Sequence, residues 1–204
     1  DEFLSDIKQK GACVVVRGNR VNILASKNNK IIDNDIKHIN TVINLENLSL
    51  SNSKITDDGL KYIANNQNLE ALHFDSTNIS GVGLQYLINL NKLTMLCLNN
   101  TKINDEAINI LCDYNYLEEL QIGGTKITDN GLKLLKKMPN LKSLYINNTN
   151  ITDAGLQYLS EVKNLQYVFV VGTKVTAKGV ANLKKRVTHH IEIDNVIPAN
   201  AGDR

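Results

Sequence analysis

Histidine and cysteine carry much of the nucleophilic, acid-base and metal chemistry of proteins, and this chain has only four His and three Cys. His189 and His190 are adjacent, while His38 and His73 stand apart. A metal held by the pair would need both imidazoles on one side, whereas successive residues of a strand point to opposite faces. One ring is therefore expected against the end of the core and the other in solvent. Cys13, Cys97 and Cys112 fall in three unlike settings, so neither a disulfide nor a zinc ion is expected from them. An odd thiol count without Cys-rich ends favours a reducing compartment, the cytoplasm or, for an effector, the cytosol of a host. The sequence has no GxxxxGK[ST] phosphate loop. With no nucleophile, acid and base drawn together, the expectation is a non-enzymatic chain with no catalytic residue, no cofactor and no metal.

The remaining candidates recur along the chain. Asp57, Asp105, Asp129 and Asp153 form a row separated by multiples of 24 residues. Calcium could use such carboxylates, but Gly81 and Ala177 interrupt the row, and helix capping accounts for it more simply. Lys30, Lys54, Lys102, Lys126 and Lys174 form a second row, interrupted by Asn78 and Asn150. A nucleic-acid track is disfavoured, because the acidic row lies three residues on and 23 Lys and Arg face 21 Asp and Glu, a net charge of +2. The Asn-x-Ser/Thr triplets at Asn47, Asn78, Asn99, Asn147 and Asn150 follow from the recurrence of Asn and Thr. No run approaches the ~18 apolar residues of a membrane span, so no membrane insertion is expected.

All these rows share one period, and the period defines the elements. Leu45, Leu69, Leu93, Leu117, Leu141 and Leu165 lie 24 residues apart and Val21 extends them back, giving seven units over residues 21 to 188. With the leading Leu or Val as position 1, positions 4 and 6 are apolar, as in Leu72 and Phe74, and the alternation predicts a short strand. Position 11 is Ile or Val throughout, from Ile31 to Val175, and positions 16 and 19 are aliphatic, as in Leu132 and Leu135, one helical turn apart. Thr at position 12 before Asp at 13, as in Thr128 and Asp129, fits an N-cap followed by a carboxylate at the helix's positive end. Gly at position 15 (Gly59, Gly83, Gly131, Gly155, Gly179) or Ala107 points to a close approach between neighbouring units. Ser or Thr at position 9, from Ser53 to Thr173 with Asn29 in the first unit, is expected to point inward and bond turn backbones. The core must be aliphatic, since Leu and Ile number 26 and 21 against 3 Phe and no Trp, and 29 Asn call for a turn every few residues.

The segment LEELQIGGTKITDNGLKLL, Leu117 to Leu135, resembles bacterial leucine-rich repeats of the 24-residue LxxLxLxxTxITDxGLxxL type, related to the cysteine-containing repeats that accompany F-boxes. The resemblance covers about residues 21 to 188. It implies an α/β solenoid, a right-handed superhelix with a concave parallel β-sheet and short convex helices, used in the family mainly to bind other proteins. Thr or Ser replaces Cys at position 9 of six units and no F-box is recognisable, so a ubiquitin-ligase substrate receptor is a distant alternative. Physically, one unit cannot bury its own strand and helix faces, so stability comes from stacking.

Stacks need caps. Residues 1 to 20 read as an N-terminal cap: a short helix with Phe3, Leu4 and Ile7 on one side, then strands at Cys13 to Val16 and Val21 to Leu24 joined through Arg17 to Arg20. Its GACVVVRGNRVNIL form is also similar to what precedes such repeats in bacterial relatives. Residues 189 to 204 read as a last edge strand, with Ile191 and Ile193 at positions 4 and 6, and a flexible tail. The chain opens at Asp1, not Met, which suggests a fragment or a processed form and leaves the lack of a signal peptide uninformative.

If positions 4 and 6 enter the core, positions 3, 5 and 7 line the hollow. They run from Ile23, Ala25 and Lys27 in the first unit to Tyr167, Phe169 and Val171 in the last. With strands about 4.8 Å apart, Tyr145 is expected beside Phe169, with Tyr167 and Val171 flanking, an apolar and aromatic patch of the kind that binds partners. His73, Met95 and Cys97 form a milder patch at mid-sheet, with Glu119 and Gln121 beside it and Glu118 adding to a negative rim. Two readings of the aromatic patch stand open: a protein or peptide docks there, or the tail with Val196, Ile197 and Pro198 folds back over it. The expected function is a monomeric protein-interaction module; the alternative is a targeting or regulatory region of a larger enzyme or bacterial effector.

Overall fold

The computed structural model describes residues 2–25 and 30–194, with the backbone alone at residue 25. Lys27, Asn29 and the tail bearing Val196, Ile197 and Pro198, to which the sequence assigns roles, lie outside the described residues.

Alternating apolar residues at positions 4 and 6 produce one strand in each of the seven units, and with one further strand at each end the described residues form a nine-stranded sheet in chain order. They are β1 (Ala12–Arg17), β2 (Arg20–Ala25), β3 (Leu45–Ser49), β4 (Ala71–His73), β5 (Met95–Cys97), β6 (Glu119–Gln121), β7 (Ser143–Tyr145), β8 (Tyr167–Phe169) and β9 (Glu192–Asp194). The first two pair antiparallel and every later neighbour pairs parallel. From β3 to β8 the register advances by 24 residues per strand, so position 3 meets position 3 and position 5 meets position 5. This is the curved layer of a leucine-rich-repeat solenoid, and the side chains behind it are almost all aliphatic. Leu48, Leu72, Leu96, Leu120 and Leu144 at position 4 and Ile55, Ile79, Ile103, Ile127 and Ile151 at position 11 are fully buried.

The helical side of each unit follows its cap. The α-helices are α1 (Glu2–Gln9), α2 (Asp57–Ile63), α3 (Asp105–Leu111), α4 (Asp129–Leu132), α5 (Asp153–Tyr158) and α6 (Ala177–Arg186). Thr56, Asn104, Thr128, Thr152 and Thr176 each accept a backbone N–H of the helix they precede, as an N-cap does. Where position 12 or 13 offers no such cap, at Ile32 and Gly81, the unit has the tighter 3-10 turn instead, Asp33–Ile36 and Val82–Leu87. At position 9, Thr77, Thr101, Thr125 and Thr149 are buried, and each hydroxyl donates to a carbonyl three residues back at 2.6 Å. Position 8 explains part of the Asn excess: Asn52, Asn100 and Asn148 take φ of 60°, 55° and 56°, a left-handed conformation that Asn tolerates.

The aspartate row does something the sequence reading assigned differently. Each carboxylate reaches the next unit instead of only facing its own helix start. Asp129 accepts the Thr152 N–H at 2.8 Å and its hydroxyl at 2.6 Å, and Asp33, Asp105 and Asp153 hold Thr56, Thr128 and Thr176 in the same way. The Thr hydroxyl thus donates backwards to the Asp and accepts forwards from its helix. Gly at position 15 is the space this carboxylate occupies: a Cβ on Gly131 would lie 2.6 Å from Asp105 Oδ1.

The two ends depart from the 24-residue register. At β2 a bulge between Val21 and Asn22 sets Ile23 opposite Leu48 and Leu24 opposite Ser49. Ile23, assigned to the hollow, is therefore buried, and Leu24, assigned to the core, is 42% exposed. Adjacent Ile and Leu satisfy either register, so alternation could not distinguish them, and pairing with β1 decides. At β9, Ile193 pairs with Val168 and so holds position 4, while Ile191 is buried ahead of the strand. The expected offset was two residues short because α6 runs to ten residues, against four to seven in α2 to α5. At the N-terminal end Phe3 and Ile7 of α1 are buried in the same core as Ile23 and Ile31.

Candidate functional site

The hollow face is built from two rows of strand side chains and one row of the turn that follows. Position 3 supplies Asn22, Asn47, Ala71, Met95, Glu119, Ser143, Tyr167 and Glu192; position 5 supplies Leu24, Ser49, His73, Cys97, Gln121, Tyr145, Phe169 and Asp194. Position 7 adds a polar ladder. Asp75 Oδ1 accepts the Asn99 N–H at 2.8 Å, Asn99 Oδ1 accepts the Gly123 N–H at 2.8 Å, and Asn147 Oδ1 accepts the Val171 N–H at 2.9 Å. These bonds fix the rim of the hollow, so side chains on the strands sit on a rigid support.

At the C-terminal half the expected neighbours meet. Tyr145 and Phe169 stack with ring centroids 4.1 Å apart and planes 4° from parallel. Tyr167 and Val171 stand beside them, 42% and 37% exposed. Burial, then the charges of Glu119 and Cys97, push the Tyr145 hydroxyl above its ordinary pKa, so it stays a neutral donor. Next to this patch lies a bonded polar strip: Asn99 donates to Gln121 Oε1 at 2.9 Å and Gln121 donates to Glu119 Oε1 at 2.7 Å. The strip divides the aromatic patch from the milder one at mid-sheet. There Met95 and His73 are half-buried, but Cys97 is only 2% exposed, so it is floor and offers a partner almost no surface. Its register neighbours His73 and Gln121 are the longer side chains that flank it.

Among the described residues the charge of the hollow has one sign. Among the described residues of these three rows Asp75, Glu119, Glu192 and Asp194 are acidic and none is Lys or Arg. The lysines of position 10 stand exposed outside the sheet, as Lys54, Lys102, Lys126 and Lys174 do.

The three cysteines stand apart from one another, but Cys97 meets a histidine and an aspartate that the spacing of the cysteines alone does not reveal. His73 Nδ1 or Nε2, an Asp75 carboxylate oxygen and Cys97 Sγ all lie within 4.8 Å of one another, the one such group of three or more among the described residues. The signal was present in the repeat: His73 and Cys97 are 24 residues apart at position 5, and Asp75 follows His73 on the same face. Burial, reinforced by Asp75 and Glu119, pushes the Cys97 thiol up to about 12. Cys13 is exposed and Cys112 is buried, where its thiol meets the Leu134 carbonyl at 3.4 Å. His189 bonds the Leu165 carbonyl at 2.8 Å while His190 stands in solvent, the division expected of the pair, although both lie ahead of β9 and not in a strand. No helix among the described residues is long and apolar enough to cross a membrane.

Two family models match the chain, Leucine Rich repeats (2 copies) over residues 117–158 and Leucine Rich repeat over residues 43–64 and 65–87. Comparison with curated protein sequences finds no match. Among solved structures, an internalin (inlF) from Listeria monocytogenes superposes with a TM-score of 0.57 at 24% identity, covering 77% of this chain and 49% of that one. An internalin C2 (inlC2) of the same species superposes with a TM-score of 0.58 at 23% identity, covering 85% of this chain and 80% of that one. This chain thus spans about half the length of the first, and at these identities the likeness establishes the fold.

Proposed function

We propose that this leucine-rich-repeat solenoid is a non-catalytic recognition module that docks a protein or peptide against the C-terminal half of its concave sheet, through Tyr145, Tyr167 and Phe169. The observation that carries this reading is the stacked Tyr145–Phe169 pair with Tyr167 exposed beside it, the one aromatic cluster among the described residues of the three rows. Rigid aromatic surface of this kind loses little conformational entropy on binding, and Tyr is enriched among residues that dominate interface energies. Val171 extends the apolar area, Glu119 and Gln121 supply hydrogen bonds at its edge, and Met95 and His73 lie further along the same face. The acidic lining from Glu119 to Asp194 favours a partner segment that carries Lys or Arg beside its apolar anchor, since complementary charge speeds encounter and excludes wrong partners. Three free thiols suit work in a reducing compartment.

The test is affinity capture from the native host with the wild-type chain and with the double substitution Tyr145→Ser and Phe169→Ser, followed by binding measurements on the purified partner. The double variant is expected to weaken binding by about 1,000-fold, the loss of two anchors worth ~2 kcal/mol each at a hot spot, while its unfolding midpoint stays close to wild type. Undiminished binding by the double variant overturns the proposal.

A further inference from the structure

We propose that His73, Asp75 and Cys97 form a zinc-binding site on the floor of the hollow, with three protein ligands and a fourth position open to solvent. The proposal is independent of the docking reading, because the trio lies across the polar Gln121 strip from the aromatic patch. Its first support is geometric. Position 5 of β4 and position 5 of β5 are register partners, which brings the His73 imidazole beside the Cys97 thiol, and Asp75 follows in the turn after β4. All three ligand atoms lie within 4.8 Å of one another. Tetrahedral zinc with bonds of about 2.0 to 2.3 Å separates its ligands by about 3.3 to 3.8 Å, so rotamer adjustments of about an ångström close the site without moving the strands.

The second support is what surrounds each donor. The His73 ring and the Cys97 thiol each offer one ligand atom to the same cluster. Asp75 is held from behind. Its Oδ1 accepts the Asn99 N–H at 2.8 Å and its Oδ2 the Ser51 hydroxyl at 3.3 Å, the outer-shell orientation that carboxylate ligands usually have. The third support is chemical. Thiolate, imidazole and carboxylate together suit zinc, whereas calcium and magnesium prefer oxygen donors alone. Glu119, close enough to act on Cys97, adds a second negative charge that favours a dication.

The experiment is titration of the tag-free chain with zinc chloride, read by calorimetry, and with cobalt(II), read by absorption. The expected result is one equivalent of zinc and a thiolate-to-cobalt charge-transfer band. Cys97→Ser removes that band, and both Cys97→Ser and His73→Ala weaken zinc binding by at least about tenfold, since even outer-shell partners of metal ligands cost that much. Cys13→Ser, and the double substitution of His189 and His190 by Ala, leave both readouts intact. His73 is half-buried, so His73→Ala serves as the decisive variant if Cys97→Ser unfolds. Absence of zinc binding at micromolar metal, retention of full affinity in His73→Ala, or loss of the cobalt band in Cys13→Ser each overturns the site.

Discussion

The third unit and the units that follow it solve the same joining problem in different ways. Between the fifth and sixth units Asp129 holds Thr152, and Gly155 leaves room for the carboxylate. Between the third and fourth there is no Asp: Gly81 stands in its place with φ of 118°, Asn104 replaces Thr, and Ala107 replaces Gly. The three changes are one change. Without a carboxylate the next N-cap needs no hydroxyl to donate to it, and Asn104 caps α3 by accepting Glu106 and Ala107 N–H groups. The freed space takes the Ala107 methyl, and a Cβ on Gly81 would collide with that methyl. Position 13 of one unit and positions 12 and 15 of the next therefore form a single coupled device, of which the chain carries two versions.

The largest effect is expected where the close approach is to backbone. A Cβ on Gly83 would lie 2.5 Å from the Asp57 carbonyl oxygen and 2.7 Å from its Cα, neither of which can rotate aside. Gly83→Ala is expected to cost about 3 kcal/mol, the upper end for overpacking, measured by urea denaturation. A cost below about 1 kcal/mol would separate Gly at this position from the close approach, that being the scale of the gain in helix propensity alone.

Next in size is a cycle that converts one version of the joint towards the other. Gly131→Ala is expected to cost about 1 to 2 kcal/mol, because its new methyl would meet Asp105 Oδ1 at 2.6 Å. Asp105→Ala is expected to cost about 1.5 to 3 kcal/mol for the charged bonds to Thr128. In the Asp105→Ala background the Gly131→Ala change should be neutral or stabilising, a coupling of about 1 to 2 kcal/mol between residues that share a space. Simple additivity would break the claim that the two positions act together.

The repeat made the sheet, the core rows and the adjacency of Tyr145 and Phe169 legible, because a strict 24-residue period turns spacing along the chain into position across the sheet. It failed at the ends. Ile23 and Leu24 are both apolar, so only the antiparallel β1 could show which faces the core, and the displacement of β9 depends on how far α6 continues. The Asp row stands in the first turn of its own helices as the spacing predicts, but its bonds to the Thr of the next unit were not legible: nothing in the spacing states which way a carboxylate at position 13 turns. Cys97 was placed correctly at the hollow face, yet its meeting with His73 and Asp75 needs two adjacent units read together. Its burial beneath longer neighbours is a property of packing that position alone does not give.

The smallest effect concerns charge and again contrasts the third unit with the others. Asp57 receives four donors, the Ser80 N–H and hydroxyl and the Gly81 and Gly83 N–H groups, whereas Asp129 receives two. Burial raises the Asp57 pKa, but these bonds, led by the Ser80 hydroxyl, outweigh it and hold the carboxyl below its ordinary value of 3.8. A depressed pKa in the fold means that the unfolded chain takes up the proton first. The stability that Asp57 contributes is therefore fully present above about pH 5 and is lost as pH falls through 3.8 and then through the lower folded value. Asp57→Asn is expected to be less stable than wild type near pH 7, with the gap narrowing steadily below about pH 4. Urea denaturation of both proteins from pH 7 to pH 3 measures it, and a gap that stays constant over that range would mean that the four donors hold the side chain by shape and not by its charge.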